Sequence, residues 1–467
     1  MRSLRACALA ALTALGTGAG CAPAPEPNVL LIVSDSLRAD ALACSRGDAR
    51  TPHLCRVAAA GALFENARAA APWTPPSAVA LFTGSHPEGF ADRPASERDA
   101  VYFVGAEHHT LAEVLAERGY AAAADVDNFL VHRTGALQGF ARLDPNATGD
   151  GGAAASIPSR DEGALRTYAM FDFLAATPEP FFAVRWILDP HAPYSPPTEL
   201  VAGLEPLAAG LPRPLGFYAS LGHQNAENRL RRHAPSMNEA EHRLLRALYE
   251  REVEWVDRRV GWLFDALDRR GLWDRTYVIV TSDHGEAFGE HGIFLHGKGL
   301  YDELLRVPLI VAGPGIPPGL RIAAPVSLTD LFPTLRELLG VDCCADAQGR
   351  SFAALLRGGR DGERFAYAGS PNHTGRGHEA VVEGTLKWIA QPDGGGALYD
   401  LAEDPGETHD LAAERRADAE RLARRARALA AENEELRVRR LASRDAGELD
   451  AVRHETRREL EALGYVR

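Results

Sequence analysis

Residues 277–303 read YVIVTSDHGEAFGEHGIFLHGKGLYDE, and the rest of the chain is organised around them. Tyr277–Thr281 is an apolar, β-branched run of strand length, the pattern of a strand buried in a parallel sheet. It gives way to Ser282, Asp283, His284, Gly285 and Glu286. Open α/β sheets bind ligands beyond the carboxyl ends of their strands, so a carboxylate and an imidazole here stand where such a site forms. Gly285 and Gly289 permit sharp turns. The sixteen residues from Asp283 to Lys298 hold three histidines (His284, His291, His296), several acids and a lysine. Divalent metals take Asp and His together, and His or Lys can hold an anionic substrate. Singly, these side chains suit a solvated loop; as a set directly behind a buried strand, they mark a site.

The same grammar recurs elsewhere. Residues 28–34 (NVLLIVS) form a second buried-strand pattern, and Asp35 follows it. Asp35 fits a helix cap taken alone and a metal ligand taken with Asp283 and His284. Residues 181–188 (FFAVRWIL) end in Asp-Pro-His-Ala-Pro-Tyr, which puts His191 at a third strand end between turn-forming prolines. A strand over 120–126 ends at Asp127 and Asn128. Between these runs the spacing predicts helices over 51–61, 110–119, 160–176, 238–271 and 327–339. In residues 71–84 (APWTPPSAVALFTG), Thr74 takes the N-cap position of a helix with Pro75 in its first turn and Gly84 as its stop. Free N–H groups and the positive dipole end at such a terminus suit a tetrahedral oxyanion. Beside a metal, the Thr74 hydroxyl has the position of a nucleophile; otherwise it is a cap.

Size and composition set the frame. The chain has 467 residues, 46% hydrophobic and 25% charged, with a formal net charge of -13. The negative balance argues against nucleic acid as partner. At the N-terminus, Arg2 and Arg5 precede an apolar stretch of small residues that ends at Cys21, too short to span a membrane and ordered like a secretion signal. This predicts an exported, periplasmic or cell-surface protein, lipid-anchored at Cys21 if the bacterial lipoprotein pattern applies, or simply secreted. Residues 1–21 are the signal, 22–27 (APAPEP) an extended tether, 28–363 the main domain, 364–411 a small antiparallel subdomain and 412–467 a charged helical extension. Cys44, Cys55, Cys343 and Cys344 allow three disulfide connectivities in an oxidising compartment. Residues 145–156 are Gly- and Ala-rich and read as a loop; residues 200–235 are irregular and Pro-rich.

With these residues in hand, the chain resembles the sulfatase family of the alkaline phosphatase superfamily. The match runs over residues 28–412 and rests on several segments in the family's order: NVLLIVSDSLRAD, TPHLCRVAAAGALFENA, APWTPPSAVALFTG, LDPHAPYSPP, YVIVTSDHGEAFGEHG with HGKGLYDELLRVPLIVAGPG, and LYDLAEDPGETHDLA. The resemblance implies a three-layer α/β/α fold around a mostly parallel sheet, and one divalent ion (Ca, Mn, Mg or Zn) at the strand ends. Its ligands would be Asp35, Asp283, His284 and the Thr74 hydroxyl. His191 and His296 would contact the anionic group or leaving oxygen of the substrate, with Lys298 assisting.

Two departures stand out. Sulfatases carry Cys-x-Pro-Ser-Arg, whose Cys or Ser is oxidised to formylglycine; here the segment is Thr74-Pro75-Pro76-Ser77-Ala78. Oxidation of a threonine gives a ketone, so the aldehyde hydrate is out of reach, and relatives in the superfamily use an unmodified Thr on phosphate esters or diesters. The motif's Arg is Ala78, which removes a cation from the nucleophile; Arg38 and Lys298 are the candidates to replace it. The expected activity is metal-dependent hydrolysis of a sulfate or phosphate ester, of a small molecule, glycan or lipid, with Thr74 as nucleophile. The alternatives are a phosphodiesterase or phosphotransferase of the superfamily and a non-catalytic surface lipoprotein that keeps the fold.

Overall fold

The computed structural model describes residues 25–46, 50–92, 101–143, 160–219, 233, 236–343, 346–369, 379–391 and 394–442. The apolar runs pair into an eight-stranded sheet: β1 (Asn28–Ser34), β2 (Ala62–Phe64), β3 (Ala121–Val126), β4 (Ala141–Arg142), β5 (Phe181–Ile187), β6 (Thr276–Thr281), β7 (Leu309–Ala312) and β8 (Leu320–Ile322). Their order across the sheet is β8-β2-β7-β6-β1-β5-β3-β4. Neighbours are parallel except where β7 runs against β6 and β2. In the central pairings Ile32 lies opposite Arg185 on one side and Val280 on the other.

Side chains alternate across a strand, so β1 divides its apolar residues between the two faces. Leu30 and Ile32 join one core with Leu248, Val256, Val260 and Phe264. Val29, Leu31 and Val33 join the other with Val79, Phe82, Phe332 and Leu335. Each such residue taken wholly from water contributes about 1.5–3 kcal/mol, which is why strands with this pattern settle at the centre of three layers. The first face is covered by α1 (Pro52–Ala60), the second by α2 (Thr74–Thr83) and α3 (Leu111–Glu117). The single turn α4 (Phe129–His132) follows β3. Helices α5 (Arg160–Ala176) and α6 (Glu239–Arg270) lie on the first face, and α7 (Leu331–Leu338) on the second. The long α6 is closed by a capping box between Asn238 and Glu241 and by Gly271 at φ 61°.

One residue departs from the apolar pattern. Arg185, fully buried in β5, donates to Asp127 Oδ2 at 2.8 Å and to the Gly163 carbonyl at 3.1 Å. Arg259 of α6 reaches the same carbonyl at 2.5 Å and pairs with Asp189. Buried charges persist only when paired, and here the pairs tie together the carboxyl ends of β3 and β5 with α5 and α6.

The C-terminal part is a four-stranded antiparallel sheet of β9 (Phe365–Gly369), β10 (Glu379–Glu383), β11 (Leu386–Ala390) and β12 (Gly396–Asp400). Helix α8 (Arg416–Ala442) lays Leu422, Ala423 and Ala426 on Val381 and Leu398. The sequence reads the charge of this helix as a solvated face, and part of its polar surface is buried as well. Its second half turns Asn433 and Arg440 inward, where Asn433 meets His86 Nδ1 at 3.1 Å and Arg440 lies 3.9 Å over the Phe90 ring. A polar stripe of this kind leaves no hydrophobic period to read.

Cys44 and Cys55 are free thiols. The signal with Cys21, residues 22–24 of the tether, Cys344, the loop at 145–156 and residues 443–467 lie outside the described residues. No helix among the described residues is long and apolar enough to cross a membrane.

The turn behind β6 tolerates no side chain at Gly285, where a Cβ would stand 2.1 Å from the Glu303 carbonyl oxygen. Overpacking of this kind costs about 1–3 kcal/mol. Gly285→Ala is expected to lower the urea midpoint accordingly, whereas Gly216→Ala, whose Cβ meets nothing within 4 Å, is expected to leave it unchanged.

Candidate active site

Four adjacent strands, β6, β1, β5 and β3, each deliver a polar residue at the carboxyl end: Asp283 and His284, Asp35, His191, and Asn128. The backbone sets their height. The Asp35 amide donates to the Ile187 carbonyl at 2.9 Å and the Asp127 amide to the Trp186 carbonyl at 3.0 Å. The chain then turns sharply at Ser36, held at φ 60°. A non-glycine residue there carries strain of order 1–3 kcal/mol. It is held by its own amide on Asp283 Oδ1 at 3.2 Å and by the Tyr249 hydroxyl, 2.9 Å from its carbonyl.

Asp35, Asp283 and His284 are fully buried, and one ligand atom from each lies within 4.8 Å of the others. His284 Nδ1 sits 2.9 Å from the Gly285 carbonyl oxygen. A carbonyl only accepts, so Nδ1 carries the hydrogen and Nε2 presents a bare lone pair. That lone pair is 3.3 Å from Asp283 Oδ2 and 3.7 Å from Asp35 Oδ1. Asp283 Oδ2 accepts no hydrogen bond. Burial, then the neighbouring Asp283, pushes the Asp35 carboxyl up to about 6. Burial likewise raises Asp283 to about 6 and holds His284 below the usual imidazole range. Lone pairs of two carboxylates and a neutral imidazole turned on one point form the donor set of a divalent cation.

Thr74 stands at the edge of this cluster, its Oγ1 3.2 Å from His284 Nε2. It is the first residue of α2 rather than its cap. Trp73 is the N-cap, with an extended backbone (φ -162°, ψ 165°). The physical reason lies in the prolines. A capping side chain bonds the N–H of the second or third helical residue, and with Pro75 and Pro76 following there is little for a Thr74 cap to bond. The same prolines correct the expectation of a terminus rich in free N–H groups, since two of the early donors do not exist. Ala78, one turn on, is fully buried in an apolar cluster, so the motif's cation has no polar counterpart at that position.

The other expected residues fall as follows. His191 and His296 are buried, with ring centroids 4.8 Å apart, and His296 lies 4.5 Å from the His284 ring. The imidazoles thus line one wall of the site. His191 Nδ1 is 2.6 Å from the Ala192 carbonyl, which turns its Nε2 outward. Lys298 is exposed, between Gly297 and Gly299, which adopt φ of 80° and 88°. Arg38 is committed elsewhere: it binds Asp40 and Glu290 at 2.8 Å each and the Glu286 carbonyl at 2.8 Å.

Two functional neighbours went unassigned from the sequence. Glu286, fully buried, lies 3.1 Å from His296 Nδ1 and so directs the other nitrogen of that ring. Asn128 donates to Asp35 Oδ2 at 2.8 Å and to Thr74 Oγ1 at 3.3 Å. Both follow a buried strand, the signal that exposed Asp35 and His191.

Residues 27–341 match the family model Sulfatase, and residues 289–432 the model for the C-terminal part of N-sulphoglucosamine sulphohydrolase. The chain belongs to the sulfatase family. Over 431 residues this sulfatase-family chain is 27% identical to the Delta 4,5-hexuronate-2-O-sulfatase of Bacteroides thetaiotaomicron, across 85% of this chain and 86% of that protein. A solved structure holding D-glucosamine-2-N,6-O-disulfate is similar with a TM-score of 0.70 and 20% identity, over 87% of this chain and 99% of the other. The phosphonate monoester hydrolase of Agrobacterium radiobacter follows at TM-score 0.64 and 22% identity, over 87% and 96%. Sulfatases use a divalent metal ion and hydrolyse esters; this chain is an ester hydrolase of that family.

The raised carboxyls give a pH test. A carboxyl whose pKa is higher folded than unfolded costs stability above the folded value, here about 6, and the cost disappears as pH falls toward the unfolded value. A bound cation relieves the cost only where the carboxyls are ionised. The rise in Tm produced by millimolar Mn2+ is therefore expected to be large at about pH 7.5 and to vanish by about pH 5, and Asp283→Asn is expected to abolish it at pH 7.5.

Proposed function

We propose that the protein hydrolyses sulfate or phosphate esters with Thr74 as its nucleophile. The observation that carries this reading is the Thr74 hydroxyl held 3.2 Å from His284 Nε2, at the rim of the Asp35–Asp283–His284 cluster. Asp35, Asp283, His284 and Thr74 are the residues to hold a divalent cation, which when bound would lower the hydroxyl pKa and draw charge from the ester's anionic oxygens.

The chain's own groups complete the chemistry. Thr74 Oγ1 attacks the sulfur or phosphorus, and its proton passes to Asp283, whose carboxyl lies beside that hydroxyl. The bond to the leaving oxygen breaks, and His296 supplies the proton that the departing alkoxide needs. The Glu286 carboxylate beside Nδ1 favours the charged imidazolium and leaves Nε2–H as the donor. His191, its Nδ1–H on the Ala192 carbonyl, binds an anionic oxygen as the imidazolium, donating from Nε2, and Lys298 extends that positive wall to the exposed rim. Water then cleaves the Thr ester, or an acceptor hydroxyl takes the group.

The substrate class we favour is a phosphoryl ester, because a threonine cannot supply the aldehyde hydrate. The fold likeness to a phosphonate monoester hydrolase is compatible with this; the sulfated sugars of the relatives keep a glycan sulfate as the second reading. We place the enzyme outside the cytoplasm, anchored at Cys21, on the order of residues in 1–21.

Nitrophenyl sulfate, phosphate, phosphonate and phosphodiester substrates, each with added Mn2+, Mg2+, Ca2+ or Zn2+, test the reading. Turnover of at least one is expected, and Thr74→Ala is expected to cut kcat by about 10³-fold or more. Turnover that survives Thr74→Ala refutes the nucleophile. A wild-type protein that hydrolyses none of them and binds none of the metals favours the binding-protein reading.

A further inference from the structure

The Asn128 carboxamide has only one orientation open to it. Asn128 is the N-cap of α4, and its Oδ1 accepts the Leu130 amide hydrogen at 3.0 Å. A backbone N–H can only donate, so the oxygen end is fixed there and the NH2 group must face the site. Its two hydrogens meet Asp35 Oδ2 at 2.8 Å and Thr74 Oγ1 at 3.3 Å. The backbone behind it is fixed too: Asp127 Oδ2 takes Arg185 Nη2 at 2.8 Å and the Leu188 amide at 3.2 Å.

This fork decides which atoms the centre presents. Asp35 Oδ2 receives the carboxamide and also Trp186 Nε1 at 3.2 Å. With Oδ2 filled by two protein donors, Oδ1, which the Ser36 hydroxyl also reaches at 3.3 Å, is the oxygen that faces His284 Nε2, 3.7 Å away. Thr74 Oγ1 accepts from Asn128, which turns its own hydrogen toward the bare His284 Nε2 at 3.2 Å. No arginine stands at position 78 to hold that oxygen, and Ala78 is enclosed by apolar side chains. The carboxamide supplies a neutral donor to the nucleophile where the family motif supplies a charged one.

We infer that Asn128 is the positioning residue of this centre, its carboxamide locking the Thr74 hydroxyl and the Asp35 carboxylate in one fixed relation around the cation. The inference rests on the reading of Thr74 as nucleophile for its catalytic half and on the cation site alone for the other half.

Two variants separate this role from simple helix capping. Serine is as good an N-cap as asparagine, but it is too short to reach Asp35 and Thr74 from the capping position. Asn128→Ser thus keeps the cap and removes the fork; Asn128→Ala removes both. Mn2+ affinity is measured by calorimetry on metal-free protein without substrate, and Tm on the same samples. Both variants are expected to bind Mn2+ about 10–100-fold more weakly, whereas only Asn128→Ala loses Tm relative to Asn128→Ser. On whichever ester the wild type cleaves, kcat is expected to fall with KM little changed. If Asn128→Ser fails to fold, Asn128→Thr, a second capping residue without the reach, takes its place in the same titration.

Wild-type Mn2+ affinity in Asn128→Ser overturns the inference, as does a shared loss of Tm with no change in affinity. A wild-type protein that binds Mn2+ and cleaves no ester refutes the catalytic reading while the affinity arm still decides the role of Asn128. Failure of the wild type to bind Mn2+, Mg2+, Ca2+ or Zn2+ overturns both.

Discussion

Two buried carboxylates and the bare nitrogen of a neutral histidine are turned on one point at the carboxyl ends of β1 and β6. Apart from the Ser36 hydroxyl on Asp35 Oδ1, the surrounding donors serve other atoms. Asn128 and Trp186 fill Asp35 Oδ2, and the amides of Ser36 and His284 reach Asp283 Oδ1. What remains is a knot of lone pairs in a low-dielectric interior, where like charges interact most strongly. Much of the neighbouring architecture holds that knot together. The left-handed turn at Ser36, the Tyr249 hydroxyl that braces it and the closed turn at Gly285 all hold together groups that would otherwise relax away from one another.

Much of this was legible in the sequence because it follows local rules. Apolar β-branched runs became β1, β5 and β6, and acids or histidines behind them became Asp35, His191, Asp283 and His284. The long helix begins after Asn238 and ends at Gly271, as its cap residues predict. What escaped was set by distance through space rather than along the chain. Asn128 looks like an ordinary cap until β3 is placed two strands from β1. Glu286 reads as one more acid in a polar loop until His296 folds back on it. Arg185 interrupts an apolar strand, and only Asp127 and the Gly163 carbonyl show why that is tolerated.

The start of α2 shows how a family motif changes its physics when its letters change. Cysteine and arginine are both absent, and two prolines remove early N–H donors. The nucleophile position nonetheless keeps a polar setting, because the carboxamide of Asn128 and the imidazole of His284 come to it from other strands. The prolines also fix the backbone before the threonine is presented, so the entropic cost of holding that hydroxyl in place is met largely by the chain itself.

The donor set is assembled from residues as far apart in sequence as Asp35 and His284, and each leaves its strand only where a neighbouring strand is already hydrogen-bonded. A fragment that ends before β6 lacks two of the three ligands, and an early collapsed chain has them scattered. A cation held there would therefore be captured late, as the last step of maturation rather than its nucleus. Its content in a purified preparation would report the fraction of molecules whose central sheet has fully closed.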